Sequence, residues 1–253
     1  RLRGPAEIFA RAVGTLTGTA PAVTTRTAKN AVTLRLAPGF DTEEYLLEVT
    51  KKGVAVTAST PQAVLHGLRS LQQLIGDGEI PACIIRDKPV FAYRGAMLDV
   101  CRHFFPVEDI KTYIDILSLH KINKFHWHLT DDQGWRIEIR KYPRLTEIGS
   151  KRSETLVGRY DKNRKGVYDG KPYGGFYTQD DIREIVRYAA ERHIEVIPEI
   201  EMPGHGLAAL TSYPWLGCTG GPYSVWTHWG ISDDVYCAGK ETTFEFVEEV
   251  LSE

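Results

Sequence analysis

From Tyr93 onward the chain alternates strand-like and helix-like segments, and each strand-like segment runs into a cluster of polar and charged residues. Tyr93–Val100 reads as a strand, and Val107–His120 as a helix entered through Pro106. Lys124–Thr130 reads as a second strand. Thr178 then caps a helix with Asp181 three residues on, a variant of the capping box, and Ile182, Ile185, Val186 and Ala189 share one face. Glu195–Ile200 is the third strand. This order favours a parallel α/β fold, and within that class a (β/α)8 TIM-type barrel collects its chemistry on the loops after the strands. A closed barrel takes roughly 250 residues, whereas 161 run from Tyr93 to Glu253 and supply three clear strands. The expectation is therefore the first part of a barrel, truncated after about three strands. Its last helix, capped by Thr242 with Glu245 at the third position, leads toward a strand the chain does not contain.

Ahead of the barrel the pattern is different. Val32–Leu36 and Val54–Val56 alternate, Tyr45–Val49 is an apolar run, and Ile80–Ile85 is a further strand candidate. Thr60 and Pro61 open a helix whose Val64, Leu65, Leu68, Leu71, Leu74 and Ile75 form one stripe able to cover a sheet, and Gly76-Asp77-Gly78 ends it. Asp87-Lys88-Pro89 closes the segment. The division expected is a small α+β domain over residues 1–89 and an incomplete catalytic barrel over residues 90–253.

Composition narrows the function classes. With 42% hydrophobic and 25% charged residues the chain can bury a core, and a net charge of −2 without any basic stripe argues against a nucleic-acid partner. No apolar run approaches the roughly 18 residues of a membrane span. The chain opens at Arg1 with no signal pattern, so export to the periplasm, cell surface or medium requires that an upstream segment has been lost. Cys83, Cys101, Cys218 and Cys237 lack metal-site spacing. Cys218 and Cys237 bracket a stretch rich in Gly, Ser, Thr and Trp, consistent with a disulfide-closed loop in an exported protein or equally with two free thiols.

Three clusters follow the three strands: Asp99 to His103, His126 to Trp135, and Glu199 to His205. A barrel brings such positions around one crevice. Arg102 offers a planar fork for neighbouring sugar hydroxyls, against the plainer role of an ion pair. Asp131 suits a buried carboxylate coupled to other acids. Asp132 is equally well structural, since adjacent residues usually face different ways. His205, after Pro203-Gly204, can be aimed at a carboxylate. Trp135 can line a sugar subsite or fill the core. His126 and His128 place two imidazoles on one strand face, as metal-dependent barrel hydrolases do. The strand runs on through Leu129 and Thr130, however, which puts both below its end, in packing and support, and no metal site is assigned.

Together these clusters resemble glycoside hydrolase family 20, the β-N-acetylhexosaminidases. The residues that carry the resemblance are Arg94-Gly95, Leu98-Asp99, Arg102 to Phe105, His126 to Leu129, Asp131 to Arg136, Pro198-Glu199 and Met202 to His205, in that order. It covers the chain from about Tyr93 to the end, and the preceding domain looks like the one that commonly stands before that family's barrel. The resemblance implies no cofactor, an oligosaccharide or glycoconjugate ending in a β-linked N-acetylhexosamine as partner, and substrate-assisted retaining exo-hydrolysis. It implies that Arg102 holds the C3 and C4 hydroxyls and that Asp131 and His205 support the acid/base glutamate. The family's Gly-Gly-Asp-Glu stretch is absent from these residues, and Glu248, Glu249 and Glu253, on the last helix, are no substitutes. The chain alone is expected to be inactive, with an unfinished barrel edge open to self-association. The alternatives are a non-catalytic sugar-binding or structural remnant and a metal-dependent barrel hydrolase.

Overall fold

The computed structural model describes residues 1–26, 28–75, 79–159 and 166–253. They form two compact units, the first built from residues 1–96, 111–125 and 187–195, the second from residues 97–110, 126–186 and 196–253.

In the first unit, strands β1 (Val32–Leu36), β2 (Tyr45–Thr50), β3 (Gly53–Ala58) and β4 (Cys83–Asp87) make one sheet in the order β1-β3-β2-β4. β1 runs parallel to β3, and β2 is antiparallel to β3 and β4, with Leu47 opposite Val56 and Ile85. Helix α2 (Pro61–Leu74) lays its stripe on this sheet. Val64, Leu68 and Leu71 are buried with Leu47, Val49 and Val56 in one core. Thr60 caps α2 as expected, its Oγ1 accepting from the Ala63 N–H at 3.1 Å. Two expectations shift here. β4 starts at Cys83, later than the Ile80 expected from hydrophobicity, because its pairing with Val49 begins there. The Gly76-Asp77-Gly78 stop lies outside the described residues. Helix α1 (Arg3–Thr17) was not anticipated; its Ile8, Phe9 and Ala10 are buried, and Phe9 joins the core shared with α2.

Three strands carry the alternation read from Tyr93: β5 (Gly95–Asp99), β6 (Lys124–His128) and β7 (Glu195–Glu199), in the order β7-β6-β5. Their direction follows from the bonds at their ends. The Lys124 N–H donates to Arg94 O at one end, and the Val100 N–H donates to His128 O at the other. Likewise Glu195 N–H meets Asn123 O and Leu129 N–H meets Glu199 O, so the three run parallel. Helices α3 (Val107–Leu119) and α4 (Gln179–Ala190) follow β5 and precede β7. The α4 cap is as read: Thr178 Oγ1 and N both reach Asp181 Oδ2, at 2.7 and 2.8 Å. The second unit has its own core, where Trp135, Ile139 and Leu145 meet helices α5 (Leu207–Ser212) and α6 (Glu241–Ser252) through Leu207, Leu210, Phe246 and Val250. α6 begins at Glu241 with Lys240 preceding it, so Thr242 lies inside the helix and does not cap it.

Candidate active site

The ends of the three parallel strands deliver their side chains to one place. Asp99 closes β5 and accepts from the backbone N–H groups of Cys101 and Arg102 at 2.9 and 3.1 Å, a local turn that folds Arg102 back over the strand end. All three guanidinium nitrogens of Arg102 are then engaged. Nη1 meets Asp99 Oδ2 at 3.0 Å, Nε donates to Gln133 Oε1 at 2.9 Å, and Nη2 stands 2.5 Å from Asp131 Oδ2. Asp131 is wholly buried, whereas Arg102 keeps about a fifth of its side chain open. A fork fixed from behind and open in front is suited to adjacent hydroxyls.

β6 ends sooner than its hydrophobicity suggests. The strand ends at His128, and Thr130–Asp131 turns back on Gly134–Trp135 as a small hairpin. This corrects the placement of the histidines: His128 belongs to the strand end and to the cluster. Its Nε2 stands 3.2 Å from Asp131 and 3.5 Å from Glu201, and its Nδ1 3.9 Å from Asp99 and 4.0 Å from Glu199. Burial works against charging this imidazole, but the contact with Asp131 and the nearby Asp99 and Glu199 charges outweigh it, and its pKa is raised. His126 Nε2 pairs with Glu199 at 2.5 Å.

The hairpin also explains why Asp131 and Asp132 do not diverge. At a turn the strand alternation is suspended, and both acids face His205, whose Nδ1 lies 3.0 Å from Asp132 Oδ2 and 3.3 Å from Asp131 Oδ1. Asp132 is the nearer partner. Its other oxygen accepts from the Leu207 N–H at 3.1 Å, tying the acid to the start of α5. Burial, helped by the Asp131 charge, raises the pKa of Asp132. His205 reaches this position from a left-handed backbone, φ 49°, unusual for a residue with a side chain.

Beneath the cluster, Arg136 is fully buried and donates to the carbonyls of Val100, Cys101, Ser150 and Gly175 at 2.6 to 3.2 Å, stitching the loops together. Gly134 is required here, because a Cβ would come within 2.4 Å of that guanidinium. Trp135 is a core residue, not a subsite wall: it is 1% exposed, its Nε1 donates to Ile137 O at 2.7 Å, and its ring faces Phe246. Of the polar segment from Ser150 to Tyr177, Arg152 reaches the site's backbone, donating to Arg102 O at 2.9 Å and Gln133 O at 3.2 Å. The part of that segment over residues 160–165 lies outside the described residues.

Cys218 and Cys237 stand beside each other as free thiols in mutual hydrogen-bonding contact, which lowers the pKa of Cys237 and raises that of Cys218. The loop between them is closed by backbone pairing, Gly217 with Tyr236 and Cys237 N–H with Leu216 O at 2.8 Å. Asp99, Glu199 and Glu201 were given no role from the sequence, and His128 was assigned to packing and support, although all four stand within the strand-end clusters. Donor atoms of Asp99, Cys101 and His128, of His128, Glu199 and Glu201, and of Asp131, Asp132 and His205 come within 4.8 Å of one another and are the sets a cation would use. No helix among the described residues is long and apolar enough to cross a membrane.

A cluster of carboxylates and imidazoles around one guanidinium at the ends of parallel strands is what this geometry defines, and comparison with known proteins gives the family. Residues 91–253 match the glycosyl hydrolase family 20 catalytic domain and residues 2–88 match domain 2 of the same family. The chain belongs to glycosyl hydrolase family 20. It is 48% identical over 222 residues to a beta-hexosaminidase of Porphyromonas gingivalis, covering 83% of this chain and 27% of that protein. A beta-hexosaminidase of Vibrio furnissii is 42% identical over 229 residues, with 88% and 36% covered. Among solved structures, a mutant Streptomyces plicatus beta-hexosaminidase in complex with product (GlcNAc) superposes with a TM-score of 0.85 at 39% identity, over 98% of this chain and 49% of that one. The chain thus spans between about a fifth and a half of the length of the relatives it matches.

Proposed function

We propose that the whole protein removes terminal β-linked N-acetylglucosamine or N-acetylgalactosamine from a glycan, with retention of configuration, and that these residues supply the end of the site that grips the nonreducing sugar. The observation that carries this reading is the Arg102 fork, engaged on its inner side by Asp99, Gln133 and Asp131 and open on the other. Its free edge would receive the C3 and C4 hydroxyls. In the substrate-assisted scheme the sugar's own acetamido oxygen attacks C1 and its C1–O bond to the leaving group breaks, a glutamic acid donates the proton to the departing oxygen, and an aspartate steadies the oxazolinium. Water then opens that ring at C1.

Asp131, Asp132 and His205 act in this reading as positioning residues. Their linked carboxylates and imidazole orient the proton-donating glutamate and adjust its pKa without touching the bond that breaks. The five carboxylates gathered here also favour a site in which positive charge develops on the sugar. Three further proposals accompany this reading: a small α+β domain over residues 1–89 before a (β/α)8 barrel starting near residue 90, an exported protein, and hydrolysis that needs an Asp-Glu pair not found among these 253 residues.

The test is release of nitrophenol from nitrophenyl-β-N-acetylglucosaminide, measured for the full-length protein and for the 253-residue chain, with intact mass recorded for each. Cleavage by the full-length protein alone is expected. Cleavage by the short chain would relocate the acid, and no cleavage by either would remove the assignment.

A further inference from the structure

Two tryptophans three residues apart on the loop between Cys218 and Cys237 are treated differently by the fold. Trp226 is anchored: it packs against the core of the second unit, its ring stacks on His228 with centroids 4.7 Å apart, and its backbone N–H donates to Asp132 O at 3.0 Å. Trp229 is half exposed. Yet its ring lies 5.9 Å from the Arg102 guanidinium carbon, so the exposed indole borders the fork.

The loop is fastened by two bonds at the residues that immediately precede that ring. Gln133, which accepts from Arg102 Nε at 2.9 Å, donates through Nε2 to His228 O at 2.9 Å. The Leu156 N–H donates to Thr227 O at 2.9 Å. One amide side chain therefore fixes the hydroxyl-binding cation and the backbone beside Trp229 in a common frame. A large aromatic surface held next to a hydroxyl-binding fork has a specific chemical use, because a pyranose presents hydroxyls at its rim and C–H groups on its face.

We propose that Trp229 is a wall of the sugar site, packing against the pyranose whose hydroxyls Arg102 holds, and that it contributes to substrate affinity and not to bond breaking. This rests on the assignment of the site to a terminal N-acetylhexosamine and adds a residue contacting that sugar. A contact of this kind is made in the ground state and retained through the reaction, so its loss raises KM and leaves kcat near its starting value.

The experiment compares the full-length protein with its Trp229→Ala, Trp229→Phe and Arg102→Ala variants on nitrophenyl-β-N-acetylglucosaminide, with melting temperatures alongside. Trp229→Ala is expected to raise KM about tenfold with kcat within about threefold of the parent, and Trp229→Phe to restore most of the affinity. The melting temperature should not move, because the ring is half exposed. Titration with N-acetylglucosamine should change the tryptophan fluorescence of the parent and not that of Trp229→Phe. If Arg102→Ala loses turnover while Trp229→Ala keeps the parent's KM, or if the fluorescence change persists in Trp229→Phe, the wall assignment fails and the hexosaminidase reading stands. If the parent neither cleaves nor binds the sugar, both fall.

Discussion

The charged network of the first unit and the cluster at the strand ends use the same side-chain types and balance them in opposite ways. In the first, Arg94 pairs with Glu43 while its Nε and Nη1 donate to Lys121 O and Phe91 O, both at 2.8 Å. Lys121 Nζ meets Asp87 at 2.8 Å and Tyr45 at 2.9 Å. Two acids face two permanent cations. His66 beside them stays neutral, its pKa held down to about 3, chiefly by burial and then by the Arg94 and Lys121 charges. At the strand ends Asp99, Asp131, Asp132, Glu199 and Glu201 face one guanidinium and the imidazoles of His126, His128 and His205. Even with every imidazole charged, four cations would meet five acids among these facing side chains, since the nearby Arg136 and Arg152 spend their Nη donors on backbone carbonyls. Matched charge is what folding asks of a buried network, whereas a surplus of acids costs stability and marks a place kept for chemistry.

That contrast can be broken in several places. The largest effect is expected from Arg94→Ala, which leaves the half-buried Glu43 without its cation and should cost about 3 kcal/mol of stability in denaturant melts, with kcat of the full-length protein unchanged. Arg102→Ala should do the reverse in kind, lowering kcat/KM of the full-length protein by about a hundredfold, since a charged, multiply bonded contact to the sugar is lost. Asp132→Asn should follow at about tenfold in kcat with little change in KM, as expected of a group that acts through His205. Thr60→Ala, far from chemistry, should cost about 1 kcal/mol through the loss of the α2 cap.

A titration sharpens the comparison without a large energy. The pKa of His128 is raised above the ordinary 6.5, so its protonated form is favoured by folding. Its contribution to stability is fully present below pH 6.5 and is lost as pH climbs through the folded-state pKa. The imidazole C–H resonance of His128 should therefore titrate with a midpoint above 6.5, and Asp131→Asn should pull that midpoint down. A midpoint below 6.5, or one indifferent to Asp131, would contradict the electrostatic picture of the cluster.

Periodicity was a good guide wherever burial sets the structure. β1, β2, β3, α2 and α4 all stand where alternation, stripes and caps put them. It failed where a turn replaces the period. The hairpin at Asp131–Gly134 ends β6 early, brings Asp132 to His205 and sends Trp135 into the core, none of which follows from strand alternation. α1 was hidden because its buried face is short, Ile8, Phe9 and Ala10 in a segment interrupted by Gly4 and Gly14. Arg102, Asp131 and His205 were legible from their positions after the strands. Glu199 and Glu201 stood in the same clusters, but only distances in space show them facing His126 and His128.

The central claim is that Arg102 and the acids behind it form the grip on a terminal N-acetylhexosamine. A crystal structure of the full-length protein with N-acetylglucosamine tests it most directly. The account predicts the sugar's hydroxyls within hydrogen-bonding distance of the Arg102 guanidinium, with Asp131 still paired behind it. A sugar bound elsewhere, with Arg102 engaged only by Asp99, Gln133 and Asp131, would contradict it.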